Sequence, residues 1–67
     1  MMFNKGDVVY SQKSGFVYKI LDWHMKFSPT AKPVSEYKCE DSAGEVFDYP
    51  VNDAQDQKWV KMGEWVD

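Results

Sequence analysis

The stretch KGDVVYSQKSGFVYKILDW, residues 5–23, places two apolar alternating runs on either side of a polar turn closed by Gly15. Residues 7–11, DVVYS, are β-branched and aromatic, which is the composition of a strand. Gly15 supplies the positive φ that such a turn needs. From Gly15 onward Phe16, Tyr18 and Ile20 fall on one face, and Val17, Lys19 and Leu21 on the other. Both faces carry apolar groups, so this second run is expected to be a curved central strand.

With 67 residues the chain is expected to form one domain, residues 1–67, because a second core has too little apolar surface to offset backbone ordering. A core of this size contributes roughly 3–5 kcal/mol net, and small folds usually add a disulfide or a metal. Cys39 is the only cysteine and His24 the only histidine, so neither an internal disulfide nor a closed site of four Cys or His ligands is available. No cofactor is expected. Aromatic mass is left as the stabiliser: three Trp, four Tyr and four Phe, each able to bury about 150–250 Å². That is more than a single small core holds, which leaves some rings for a partner or for a second copy of the chain.

Further along, HMKFSPTAKPVS at 24–35 carries two prolines, each biasing its predecessor away from helix, and reads as a long loop. In EYKCE, 36–40, Tyr37 and Cys39 point inward against Glu36, Lys38 and Glu40. DSAG at 41–44 has Asp first and Gly fourth, the preference of a type I turn. EVFDY, 45–49, returns as the partner strand, and Pro50 ends ladder donation. Asn52 and Gln55 have capping-box spacing, predicting a helical or 3₁₀ turn in NDAQDQ. The alternative is a longer helix from Asp53 to Met62. The alternation through Lys58–Met62, followed by Gly63, favours a last strand instead.

This order of elements predicts an all-β fold: about five antiparallel strands, with one short helical or 3₁₀ turn before the last. The opening KGDVVYSQKSGFVYKI resembles the hydrophobic-x-x-Gly-Asp-Val-Val start of Tudor and KOW-type domains, and the DAQ turn before Lys58 adds to the likeness. The resemblance implies a small SH3-like barrel, beyond whose minimal extent residues 63–67, GEWVD, are expected to run. Function drawn from such a widely used barrel is analogy.

The function classes narrow by chemistry. A nucleophile needs a base within hydrogen-bond reach, and a Cys39/His24 pair is outweighed by the ordinary roles of a buried thiol and a loop imidazole. No enzyme is expected. Tudor-like barrels hold methylated cations in aromatic cages, for which the resemblance offers Tyr18, Trp23, Phe47 and Tyr49. The simpler reading makes these rings core.

Charge divides the chain: five Lys and two Asp precede residue 36, and three Lys and nine carboxylates follow, for a net −3. Lys13, Lys19 and Lys26 suit a KOW-type, nucleic-acid-associated barrel. The absence of Arg and a pI near 4.9 weaken that footprint. The acidic half suits a basic protein partner.

The expected function is therefore a non-catalytic protein-binding module, an adaptor or a small acidic inhibitor. In size and composition it resembles phage-encoded inhibitors of host enzymes. Trp23, Phe27, Tyr49, Trp59 and Trp65 are the expected aromatic anchors, and Glu45, Asp48, Asp53 and Asp56 the acidic rim. The alternatives are the nucleic-acid reading and a homodimer that buries the surplus rings. No apolar run is long enough for a membrane span and MMFNKGD lacks the regions of a secretory signal, so the cytoplasm is expected, where a lone thiol stays reduced.

Overall fold

A computed structural model describes residues 3–65. Five strands form one antiparallel sheet: β1 (Asp7–Ser11), β2 (Val17–Ser28), β3 (Ala31–Glu40), β4 (Val46–Pro50) and β5 (Trp59–Glu64). The short helix α1 (Val51–Asp56) lies between β4 and β5. Their order across the sheet is β4-β3-β2-β1-β5, with β2 central as expected. In a flat sheet the first and fifth strands lie about 19 Å apart. Here the Tyr49 ring of β4 and the Trp59 ring of β5 have centroids 4.5 Å apart. The sheet therefore curls until its two edges meet through side chains, with α1 bridging them.

Inward alternation builds the core. Val9 from β1, Ile20 from β2, and Tyr37 and Cys39 from β3 are buried, joined by Val51 and Ala54 of α1 and Trp59 of β5. Tyr18, Phe47, Tyr49 and Phe3 pack around them. A β-bulge between Ile20 and Asp22 shifts the register with β3 and increases the bend. A second bulge, between Val8 and Val9, does the same against β5.

Local chemistry closes the turns as expected. Gly15 has φ 78°, and its N–H donates to the Ser11 carbonyl. The Asp41 carboxylate accepts from the Ala43 and Glu45 amides, and Gly44, at φ 86°, donates to the Asp41 carbonyl. The buried Ser11 hydroxyl donates to the Gln57 carbonyl at 3.1 Å, tying the first turn to the end of α1.

The expected loop at 24–35 is instead an arm of paired strands, with Met25 opposite Ser35 and Lys26 opposite Val34. Neither proline blocks pairing. Pro29 lies in the two-residue turn between Ser28 and Ala31, where its fixed φ is an asset. Pro33 lies where β3 pairs on one side only, since β4 reaches no further along β3 than Glu36.

The capping box also fails to form. Pro50 takes the N-cap position without a side-chain hydrogen bond, and the helix begins at Val51 rather than Asn52. Burial of Val51 and Ala54, three residues apart, selects that start. The longer helix to Met62 is replaced by β5, which the left-handed Lys58 (φ 55°) separates from α1. Gly63 and Glu64 belong to β5 and pair with Val8 and Asp7, so the strand runs further than expected. Val66 and Asp67, the remainder of the expected extension, lie outside the described residues.

The Phe3 amide donates to the Tyr37 hydroxyl at 3.0 Å, fastening the N-terminal segment to the core. Tyr37→Phe removes that acceptor without changing the packing volume. A loss of about 1 kcal/mol in urea unfolding is expected.

Candidate functional site: an apolar arm and a cross-strand polar cluster

Beyond Leu21 the central strand no longer pairs with β1, while β3 stays paired with β4 as far as Glu36, opposite His24; the sheet is three strands wide at residues 22–24 and the arm two strands wide from Met25 outward. Trp23 and Met25, two residues apart, share the face of Tyr37 and Ser35, their cross-strand partners. The Ser35 hydroxyl donates to the Met25 sulfur at 3.1 Å. Phe27 follows at the bulge before the tip and is 74% exposed. Trp23 and Met25 are also exposed, and so is Val34 on the opposite face. Trp23 sits at the base of the arm beside the core residue Tyr37, and Met25 and Phe27 carry the apolar surface outward beyond the reach of β4, as an anchor surface needs. Among the described residues no strand neighbours the outer edge of β2 from Asp22 to Ser28, and the Asp22 carboxylate accepts from the Trp23 amide at 2.8 Å.

The remaining expected anchors fall elsewhere. Trp59 is 7% exposed and belongs to the core, contrary to its expected role as an exposed ring. Its parity along β5 points it inward, where it packs on Tyr18 (5.0 Å) and Tyr37 (6.1 Å) as well as Tyr49. It also lines an apolar groove of about 420 Å³ between Phe3, α1 and β5. Tyr49 is half-buried in the same aromatic cluster, which includes Phe47. Trp65 is half-buried too: its amide donates to the Gly6 carbonyl, and the Lys19 ammonium lies 5.4 Å from its ring centroid. The structure thus brings Trp23 and Phe27 together on the arm and separates them from Trp59 and Trp65.

Of the cage residues, Tyr18, Phe47 and Tyr49 do converge, with Tyr18 5.3 Å from Phe47 and 6.4 Å from Tyr49. Their rings pack on one another and on Trp59, while Trp23 stands on the arm, so the cluster serves as core. Burial raises the hydroxyl pKa of Tyr18 and Tyr49, each further raised by nearby acidic groups.

Glu45, Asp48, Asp53 and Asp56 are all exposed, on the β3–β4 turn, β4 and α1. Asp48 has a closer relationship than rim placement implies. On the outer face of β2, β3 and β4, the His24 Nε2 lies 3.2 Å from Glu36 Oε1 and 3.8 Å from Asp48 Oδ1. Glu36 is only 8% exposed, although its parity places it outward as expected. Along the chain nothing links His24 to Glu36, twelve residues apart. Their pairing follows only once the Pro29-Thr30 turn sets the register that puts residue 24 opposite 36.

Cys39 is fully buried, and desolvation, with the charge of Asp48 second, pushes its thiol up to about 12. A thiol so disposed is neither nucleophile nor ligand near neutral pH. Among the described residues no helix is long and apolar enough to cross a membrane. Comparison with protein-family models, curated proteins and solved structures finds no match to this chain.

Proposed function

We propose that this chain is a non-catalytic protein-binding module of the small-barrel type, an adaptor or inhibitor that docks on a larger protein through the β2–β3 arm. The observation that carries this reading is the exposed apolar set Trp23, Met25 and Phe27 on a hairpin that projects from a complete core. Rings on the paired strands offer contact area at low entropic cost, and the exposed Asp48, Asp53 and Asp56 steer a basic partner, while Glu45 lies by the turn at the end of β3 away from the arm. The buried, unreactive thiol and a lone imidazole already engaged by carboxylates support the absence of a nucleophile–base pair. The Tudor and KOW likeness contributes a scaffold for recognition and no specific ligand.

The test is capture from source-cell lysate on the tagged chain, with and without nuclease, at low and moderate salt, beside the Trp23→Ala/Phe27→Ala variant. The variant is expected to keep a cooperative urea transition: Phe27 is 74% exposed, and Trp23, 39% exposed, gives up part of its packing beside Tyr37 at a cost of about 1–2 kcal/mol. It should nonetheless lose the captured protein. Equal recovery on the variant overturns the arm as docking surface. Recovery abolished by nuclease moves the function to nucleic acid, with Lys13, Lys19 and Lys26 as the contacts.

A further inference from the structure

The cluster His24–Glu36–Asp48 is assembled from three adjacent strands and is used by neither the core nor the arm's apolar face. Its three donor atoms, one imidazole nitrogen and two carboxylate oxygens, all lie within 4.8 Å of one another. We propose that this cluster is a binding site for a first-row divalent transition cation such as Zn²⁺ or Co²⁺, which clips the arm to β4.

Ligand bonds of about 2.0–2.2 Å put neighbouring donors roughly 3–3.5 Å apart around the ion. His24 Nε2 is already 3.2 Å from Glu36 Oε1 and 3.8 Å from Asp48 Oδ1. The adjustment needed falls on Asp48, whose side chain is 55% exposed and free to change rotamer. Glu36 is held in place by burial and supplies the fixed ligand.

Lys38 shares this outer face, directly opposite Asp48, but among the described residues it makes no ion pair with the cluster, whose close counterpart is His24 alone. A buried carboxylate requires a charged or hydrogen-bonded counterpart, and among the described residues the one hydrogen-bond partner of the Glu36 carboxylate is His24. One Nε2 cannot serve both carboxylates. If protonated it has a single N–H to share between two acceptors, and if unprotonated its lone pair faces negative oxygens. A divalent ion among the three satisfies the lone pair and both carboxylates at once. The donor set decides which ion: an imidazole with two carboxylates suits Zn²⁺, Co²⁺ or Mn²⁺ better than Mg²⁺ or Ca²⁺, which take oxygen ligands. Three protein donors leave further coordination positions to water. The closed site of four Cys or His ligands ruled out by composition is a different arrangement, and the carboxylates supply what the missing His and Cys do not.

The experiment is titration of tag-free full-length chain with Zn²⁺ by calorimetry and with Co²⁺ by visible absorption, following the His24 ring protons by NMR. His24→Gln and Asp48→Asn are the variants, both at partly or fully exposed positions that the core does not use. One ion per chain is expected, with broadening or shift of the His24 resonances and no competition from millimolar Mg²⁺. Loss of a direct ligand should weaken affinity at least as much as loss of an outer-shell partner, about 10- to 100-fold. Zn²⁺ should raise the melting temperature of the parent chain and leave that of either variant unchanged. Absence of binding to a well-folded parent overturns the site, as does binding of equal strength by the parent and both variants.

Discussion

Trp59→Ala is expected to abolish cooperative unfolding at room temperature. Trp59 is the side chain through which β5 meets β4 and β3 across the curled sheet, packing on Tyr49, Tyr18 and Tyr37 within 6.1 Å. Truncating a buried Trp to Ala costs about 3–5 kcal/mol, since most of the cavity remains unfilled. A core this small contributes roughly that much in total. The near-ultraviolet circular dichroism of the variant should therefore be flat and its urea transition broad or absent. Trp59→Phe is the informative companion. The Trp59 indole N–H is buried without a hydrogen-bond partner among the described residues, so the phenyl ring removes an unsatisfied donor while keeping most of the contact area. It should retain a cooperative transition. If Trp59→Ala unfolds within about 1 kcal/mol of the parent, Trp59 is not the keystone its burial indicates.

The second large effect is loss of stability at alkaline pH. Desolvation raises the Cys39 thiol from 9.0 to about 12, and desolvation likewise raises Tyr18. A group whose pKa is higher in the folded state keeps its proton there while the unfolded chain releases it. The fold thus has its full stability below pH 9 and loses it progressively between pH 9 and 12 as the unfolded chain releases the Cys39 proton that the fold retains. Urea midpoints measured at pH 7, 9, 10 and 11 should hold steady and then fall. Cys39→Ala should be less stable at neutral pH because of the lost sulfur, yet decline less steeply above pH 9. A parent midpoint unchanged to pH 11 would show that the thiol titrates normally, so that its burial is broken by solvent access.

Much of the fold was legible in short segments. The β-branched run at 7–11 and the glycine at 15 state their strand and turn locally. So do Asp41 and Gly44, whose side-chain and φ requirements are met within four residues. The alternation of Tyr37 and Cys39 correctly separates inside from outside, because a strand's period of two needs no knowledge of its neighbours. The arm was not legible, since a proline's local preference says nothing about whether its missing N–H falls in a turn or on an unpaired edge. The candidate site divides in the same way. Exposure of Phe27 and the solvated acids follows from local context, whereas the inward facing of Trp59 depends on its β-parity relative to a sheet that has already curled.

His24, Glu36 and Asp48 lie on three strands, and their residue types carry no sign of one another along the chain. Alternation, turn chemistry and charge are properties of neighbours in sequence, and these the 67 residues specify directly. Register and curvature are properties of strands meeting, because a shift of one residue moves every side chain to the other face. They place Trp59 in the core, extend the arm into solvent, and gather an imidazole and two carboxylates at one point.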